Sequence, residues 1–160
     1  MHRDTILPSI TACKRTLQGV LLRHRRYLKM SNSIVKKQVN TDKAPGAIGP
    51  YSQAVIAAPF IFTSGQLPVD PKTNELVGGD AANQAKQVFE NLKAVLGEAG
   101  SDLSKVVKAT VFLKNMDDFA AVNAVYASFF TEGILPARSA VQVAKLPKDV
   151  AVEIEMIALL

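Results

Sequence analysis

Histidine and cysteine are nearly absent from this sequence of 160 residues. His2, His24 and the single cysteine, Cys13, all lie near the amino terminus, so residues 25–160 contain neither side chain. Over most of the chain this excludes serine–histidine triads, cysteine nucleophiles, thiol redox chemistry and zinc sites built on imidazole or thiolate. The remaining chemical tools are carboxylates, lysine, arginine, tyrosine, hydroxyl groups and backbone amides.

Acidic residues are scarce at the amino-terminal end. Residues 1–37 hold nine Lys or Arg side chains and one acidic residue, Asp4, whereas the rest of the chain holds ten basic and thirteen acidic side chains. The positive net charge of +5 therefore comes from residues 1–37, and the rest of the chain is mildly acidic. A mildly acidic domain disfavours nucleic acid as a partner.

Residues 1–30 predict a mitochondrial transit peptide, because they are rich in Arg, Leu, Thr and Ser and can form an amphipathic helix. We expect import into the mitochondrial matrix with cleavage near Tyr27, which follows two arginines. The alternative is a flexible leader, with a cytoplasmic form if translation starts at Met30. No run reaches the roughly 18 apolar residues of a membrane span, so we expect none.

Residues 31–160 predict one domain whose core is large enough to need no disulfide or metal. Alternating apolar residues predict strands, and apolar residues at helical spacing predict two helices that begin after Asp80 and Asp117. The order favours an α+β fold with two helices on one face of a mixed sheet, and an uncovered second face indicates self-association. The predicted strands are 33–39, 54–58, 60–64, 105–114, 139–144 and 152–158.

The last twenty-five residues carry the most specific pattern. They predict two strands joined by a turn at 146–149, and period-two alternation places Glu153 and Glu155 on the same face, about 7 Å apart. Arg138 stands at the mouth of the first of these strands, and Glu153 stands in the middle of the second. We expect these two to face a common cavity, where the arginine anchors an anion and the glutamate moves protons.

The run PARSAVQVAKLPKDVAVEIEMIAL at 136–159 resembles the carboxy-terminal signature of the RidA family, also called YjgF, the 2-imino acid deaminases. The similarity includes GPYSQ at 49–53, TSGQ at 63–66 and VVKATVFLK at 106–114. It implies a chorismate-mutase-like fold and a homotrimer with an active site in each subunit cleft. It also implies hydrolysis, without cofactor or metal, of the 2-iminobutanoate and 2-iminopropanoate that pyridoxal-phosphate dehydratases generate, giving 2-keto acids and ammonia.

The resemblance also implies roles for single residues. Arg138 would grip the substrate carboxylate with its planar fork, and Glu153 would orient the water and relay its proton. Tyr51 would lie over the substrate. The remaining substrate contacts would come from Ser64, Gly65 and Asn123.

Each of these residues also has an ordinary structural interpretation. An arginine at a strand start is usually a solvated charge, an asparagine beside the apolar stripe of a helix is as often a structural hydrogen-bonding group, and Glu155 fits a solvated strand face. Ala140 departs from the family pattern, since many relatives have cysteine there. Its small side chain keeps the cavity open and indicates that no thiol chemistry is required.

Two other function classes are compatible with the sequence. Members of this family have been described as endoribonucleases and translation inhibitors, although an acidic domain without histidine is a weak candidate for phosphodiester cleavage. The second class is a small-ligand-binding stress protein that uses the same cavity without turnover.

Overall fold

The structure is a computed structural model that describes residues 35–160. The predicted transit peptide at 1–30, the alternative start at Met30 and the first two residues of the predicted first strand lie outside the described residues. The import and the boundary near residue 30 therefore stay predictions.

A six-stranded sheet forms the centre of the fold, with strand order β1-β2-β3-β8-β6-β7. The pair β6–β7 is parallel and the other four pairs are antiparallel, so the predicted mixed sheet is confirmed. Two short strands pair separately as a hairpin. The strands are β1 Lys37–Val39, β2 Ala54–Ala57, β3 Phe60–Thr63, β4 Val69–Asp70, β5 Glu75–Leu76, β6 Val106–Leu113, β7 Ala137–Gln142 and β8 Val152–Leu159.

Two α-helices cover one face of the sheet, as predicted: α1, Ala81–Glu98, and α2, Phe119–Phe129. Asp80 caps α1 by accepting a hydrogen bond from the Asn83 amide at 2.8 Å. The predicted cap at Asp117 is wrong. Asn115 accepts from the Asp117 amide at 3.1 Å and so begins a 3-10 turn, which leads into α2.

The core lies between α1 and the sheet. Alternation along β8 sends every second side chain into it, which confirms the period-two pattern of that strand. The buried residues of α1 recur at helical spacing and pack on this sheet face, which we call the helix face. They are Ala81, Ala85, Val88, Phe89, Asn91, Leu92, Val95 and Leu96.

The other side of the sheet, which we call the open face, carries apolar side chains without a covering layer among the described residues. Phe62 on β3 and Val141 on β7 are 44% and 42% exposed. Phe112 on β6 is paired with Val141 and with Glu153, and paired residues project to the same side of a sheet. The open face therefore combines apolar residues with the predicted catalytic glutamate.

The last two strands do not pair with each other, contrary to the expectation of adjacent strands. β6 lies between them and hydrogen-bonds to both, in parallel with β7 and antiparallel with β8. A parallel pair requires a crossover, and α2 supplies it between β6 and β7. The segment at 146–149 therefore carries the chain past β6 and does not close a hairpin.

Gln53 fixes the loop that precedes β2. Its buried amide nitrogen donates to the carbonyl oxygens of Thr41, Ala44 and Pro45 at 3.0, 3.2 and 2.8 Å. Its side-chain oxygen accepts from the Thr41 amide at 2.7 Å. Because Tyr51 lies on the same loop, Gln53 also sets the path of the chain that presents this ring.

Replacement of Gln53 by alanine should lower the free energy of unfolding by about 2 kcal/mol or more, because buried backbone groups of the loop lose their partners. Urea denaturation gives this quantity. The matched control is Gln38→Ala on β1, where the side chain is exposed, with an expected change within about 0.5 kcal/mol. Equal small effects at both positions would show that the loop does not depend on Gln53.

Candidate functional site

Arg138 is the centre of a group of residues that we call the arginine cluster. Its Nη1 donates to Asn123 Oδ1 at 2.7 Å. The guanidinium carbon lies 4.5 Å from the centroid of the Tyr126 ring and 5.5 Å from that of Phe119. The guanidinium is therefore held by one hydrogen bond and two aromatic faces, within the usual range of cation–π contact.

Helix α2 presents all three partners of Arg138. Phe119, Asn123 and Tyr126 follow one another at intervals of four and three residues, and this spacing places side chains on one face of a helix. Arg138 is paired with Ala109 on β6, which is buried under the helices. Because paired residues project to the same side of a sheet, Arg138 also points towards α2. The arginine cluster is thus on the helix face of the sheet, at its β7 edge.

A cavity of about 280 Å³ lies beside this cluster. Arg138 and Asn123 supply its polar end, and the rest of the wall is largely apolar. The combination suits a small anion with an apolar body. The lining residues are Asn123, Tyr126, Ala127, Phe130, Leu135, Pro136 and Arg138.

Glu153 is the centre of a second group, which we call the glutamate cluster. Gly65 lies against its carboxylate, Ser64 precedes Gly65 in the chain, and Tyr51 lines a cavity together with Gly65. Backbone hydrogen bonds between Gln66 and Ile154, at 2.9 and 3.3 Å, dock residues 64–66 against β8. Gly65 lies so close to the Glu153 carboxylate that a methyl group in its place would overlap the carboxylate oxygen. Glycine permits this close approach, and a side chain at residue 65 would displace the Glu153 carboxyl from its present position.

The Glu153 carboxyl is half-buried, and this burial raises its pKa above the ordinary value, with the neighbouring Glu155 charge as a second cause. The raised pKa means that this carboxyl holds its proton more tightly than an exposed glutamate does. A carboxyl of this kind is suited to accepting and returning a proton in catalysis.

Tyr51 and Ser64 complete the glutamate cluster. The Tyr51 hydroxyl accepts from the Ile48 amide at 3.2 Å, and the ring is half exposed. The Ser64 hydroxyl donates to the Ser52 carbonyl oxygen at 2.7 Å, which leaves its lone pairs free to accept. Tyr51 and Gly65 line one small cavity of about 50 Å³.

The arginine and glutamate clusters lie on opposite faces of the sheet. Arg138 pairs with Ala109, which pairs with Met156, and all three project to the helix face. Glu153 pairs with Phe112 and projects to the open face. The expectation that Arg138 and Glu153 of one chain face a common cavity is therefore wrong, because the sheet itself separates the two side chains.

Comparison with known proteins places this chain in a family. A family model described as endoribonuclease L-PSP matches residues 41–160. A 2-iminobutanoate/2-iminopropanoate deaminase of Escherichia coli is 53% identical over 126 residues, which cover 78% of this chain and 98% of that protein. The chain belongs to the RidA/YjgF family.

Two further relatives agree with this family. A RutC family protein of Pyrococcus horikoshii is 55% identical over 124 residues, covering 78% of this chain and 98% of that protein. The crystal structure of Escherichia coli TdcF with bound serine has a TM-score of 0.74 at 48% identity, covering 78% of this chain and 98% of that one. The fold expected from the RidA resemblance is confirmed.

Tyr126 and Phe119 were not predicted to take part in a site, because aromatic residues at helical spacing usually indicate core packing. Phe119 is in fact 36% exposed. The missed signal is the interval of four and three residues that joins these rings to Asn123. Gln53 was missed too, since a buried glutamine in a loop has no sequence signature of its own.

Among residues 35–160, no three His, Cys, Asp or Glu side chains lie close enough together to hold a metal ion. No helix in this range is long and apolar enough to cross a membrane.

Replacement of Glu155 by glutamine should lower the pKa of Glu153 part of the way towards its ordinary value, since burial remains as the larger cause. NMR titration of the Glu153 carboxyl carbon measures the shift. Because the folded chain holds this proton more tightly than the unfolded chain, Glu153 reduces stability as pH rises from the unfolded pKa through the folded one. Glu155→Gln should weaken that decline.

The control for this titration is Glu90→Gln on the exposed side of α1. It removes the same charge from a distant surface and should leave the pKa of the Glu153 carboxyl unchanged. An unchanged pKa in Glu155→Gln would mean that the two carboxylates on β8 do not interact.

Proposed function

We propose that this chain hydrolyses 2-imino acids to 2-keto acids and ammonia. The observation that carries the proposal is an arginine and a glutamate without ionic partners. Among residues 35–160 the one ion pair joins Lys114 and Asp149, so Arg138 has no carboxylate partner there and Glu153 has no cation. Each is available to a ligand that carries a carboxylate and a group to be protonated.

The chemistry needs few groups, because an imine carbon is already electrophilic. In the proposed reaction Arg138 holds the substrate carboxylate, and Glu153 takes a proton from a water molecule as the water oxygen bonds to the imine carbon. The same carboxyl delivers that proton to the imine nitrogen, which gives a carbinolamine. It then takes the hydroxyl proton and passes it to the amino nitrogen as the carbon–nitrogen bond breaks, so the products are ammonia and the 2-keto acid and the carboxylate is regenerated.

The other residues of the two clusters shape the site in this proposal. Tyr51 lies over the substrate, and Gly65 allows the substrate to approach the Glu153 carboxylate. Ser64 has free lone pairs for a donor on the ligand, and Asn123 holds Arg138 through the hydrogen bond described above. The substrates would be small imines such as 2-iminobutanoate and 2-iminopropanoate, which pyridoxal-phosphate dehydratases generate. The deaminase name of the Escherichia coli relative supports this choice.

Replacement of Arg138 by lysine should lower kcat/KM at least about tenfold, since lysine keeps the charge and loses the two-pronged contact. Glu153→Gln should instead lower kcat and leave the affinity for 2-oxobutanoate nearly unchanged. Ammonia release from imines generated in situ by a dehydratase gives the kinetic constants of both variants, and equilibrium binding gives the affinity for 2-oxobutanoate. Lys72→Ala, in an exposed turn, is the control. Full activity of a folded Arg138→Ala chain would contradict the mechanism.

The separation of the two clusters supports a site shared between chains. We propose a homotrimer in which the arginine cluster of one chain meets the glutamate cluster of its neighbour. The apolar residues of the open face and the exposed Leu135 at the arginine-cluster cavity are surfaces that such an assembly would cover.

Mixed assemblies test the shared site. Arg138→Ala and Glu153→Gln chains are each inactive in this proposal, but random mixing should recover about a quarter of the original activity, since one junction in four then joins an intact Arg138 to an intact Glu153. Light scattering measures the trimer, and ammonia release measures recovery after the chains are unfolded and refolded together. Mixed trimers without recovered activity would contradict sharing.

The endoribonuclease description of the family supports a second candidate. The acidic balance after residue 37 and the absence of histidine after residue 24 disfavour it. Steep salt dependence of RNA binding would support that candidate. Binding of 2-oxobutanoate without ammonia release would instead support the ligand-binding stress protein.

A further inference from the structure

Tyr126 is a buried tyrosine to which the proposed reaction gives no role. It is 7% exposed, and its hydroxyl is buried without a hydrogen-bond partner among the described residues. An unsatisfied buried hydroxyl is costly and uncommon. The ring of this side chain nevertheless does more than fill the core, because it also contacts the Arg138 guanidinium.

The ring of Tyr126 is the nearer of the two aromatic faces under Arg138. The guanidinium carbon lies 4.5 Å from its centroid, compared with 5.5 Å for Phe119. Asn123 Oδ1 holds Nη1 from another direction. A guanidinium has five N–H donors, so contact with one oxygen and a ring face leaves most of them available for a carboxylate.

The ring is itself fixed by the aromatic core. Phe89, which is wholly buried, meets it edge-on at 5.6 Å, and Phe130 lies 4.6 Å from it, centroid to centroid. Contacts therefore run from Phe89 on α1 through Tyr126 on α2 to the exposed Arg138 on β7. Without such support, a long arginine side chain at a strand edge samples many rotamers.

We propose that Tyr126 is a positioning residue for Arg138: its ring face holds the guanidinium so that the free donors of the fork meet the substrate carboxylate. This inference rests on the function proposed above. It assigns to the ring the pre-organisation that lowers the entropic cost of anion binding.

The ring, and not the hydroxyl, would do this work. Burial raises the pKa of the Tyr126 phenol, an effect that the nearby Arg138 charge partly opposes, so the phenol is neutral at physiological pH. A neutral phenol forms no ion pair with the guanidinium. Tyr126→Phe therefore keeps the supporting face, whereas Tyr126→Leu removes it and keeps an apolar side chain in the cavity.

The test compares Tyr126→Leu and Tyr126→Phe in the 160-residue chain. Tyr126→Leu should raise KM and the Kd of 2-oxobutanoate by about tenfold, with kcat within about twofold, as the loss of one cation–π contact predicts. Tyr126→Phe should keep the original values. The matched control is Phe129→Leu. It also removes an aromatic contact with Phe89, but the rings that lie against Arg138 are those of Phe119 and Tyr126. Loss of affinity in Tyr126→Phe, or unchanged affinity in Tyr126→Leu, would overturn the proposal.

A double-mutant cycle separates positioning from cavity packing. If Tyr126 acts through Arg138, then Tyr126→Leu should have no further effect on Kd in an Arg138→Ala background. A full additional loss in that background would overturn the proposal, since the ring would then contact the ligand on its own account.

A readout without substrate distinguishes failure of this inference from failure of the proposed function. An aromatic ring shifts the NMR resonances of protons that lie over its face, so the Arg138 side-chain protons should be shifted upfield in the original chain and in Tyr126→Phe. Tyr126→Leu should abolish most of the shift. A shift that survives in Tyr126→Leu overturns the positioning role, whereas absence of ammonia release from the original chain contradicts only the deaminase function.

Discussion

Strand β6 is hydrogen-bonded on both sides, in parallel with β7 and antiparallel with β8, and the rest of the site depends on this arrangement. Because side chains alternate along each strand, the register fixes the face on which every residue lies. It sends Arg138 towards the helices and Glu153 to the open face. A slip of one residue in either pairing would reverse one of these directions. A slip in the β6–β8 pairing would also turn buried residues such as Ala109 or Ile154 out of the core, so this register is strongly specified.

The arginine cluster owes its geometry to the packing of α2 on α1. Tyr126 belongs at once to the aromatic core around Phe89 and to the surface that holds Arg138. A change in core packing can therefore move the guanidinium without touching any residue of the site. The glutamate cluster depends on a different device, the close approach of Gly65 to the Glu153 carboxylate. The two clusters are consequently supported by separate parts of the fold.

Local patterns predicted the elements, but strand order required non-local information. Alternation predicted the face of Glu153, and Asp80 marked the start of α1, because both signals lie within a few residues. The segment at 146–149 has turn composition and so favoured a hairpin, yet Lys148 and Asp149 both adopt left-handed backbone conformations in a 3-10 turn. A helix between two strands was the available signal for parallel pairing. Tyr126 was missed because a core ring and a supporting ring have the same spacing.

The separation of Arg138 from Glu153 also has an electrostatic consequence. A guanidinium within ion-pair distance would stabilise the ionised carboxylate and lower the pKa of Glu153, which burial and Glu155 raise. Within one chain the sheet prevents this pairing. In the proposed assembly the two groups meet across a chain boundary, where a bound substrate places its own carboxylate on Arg138. The substrate would then neutralise the arginine at the moment of binding, so that Glu153 keeps a raised pKa and can still exchange protons with water and the imine nitrogen.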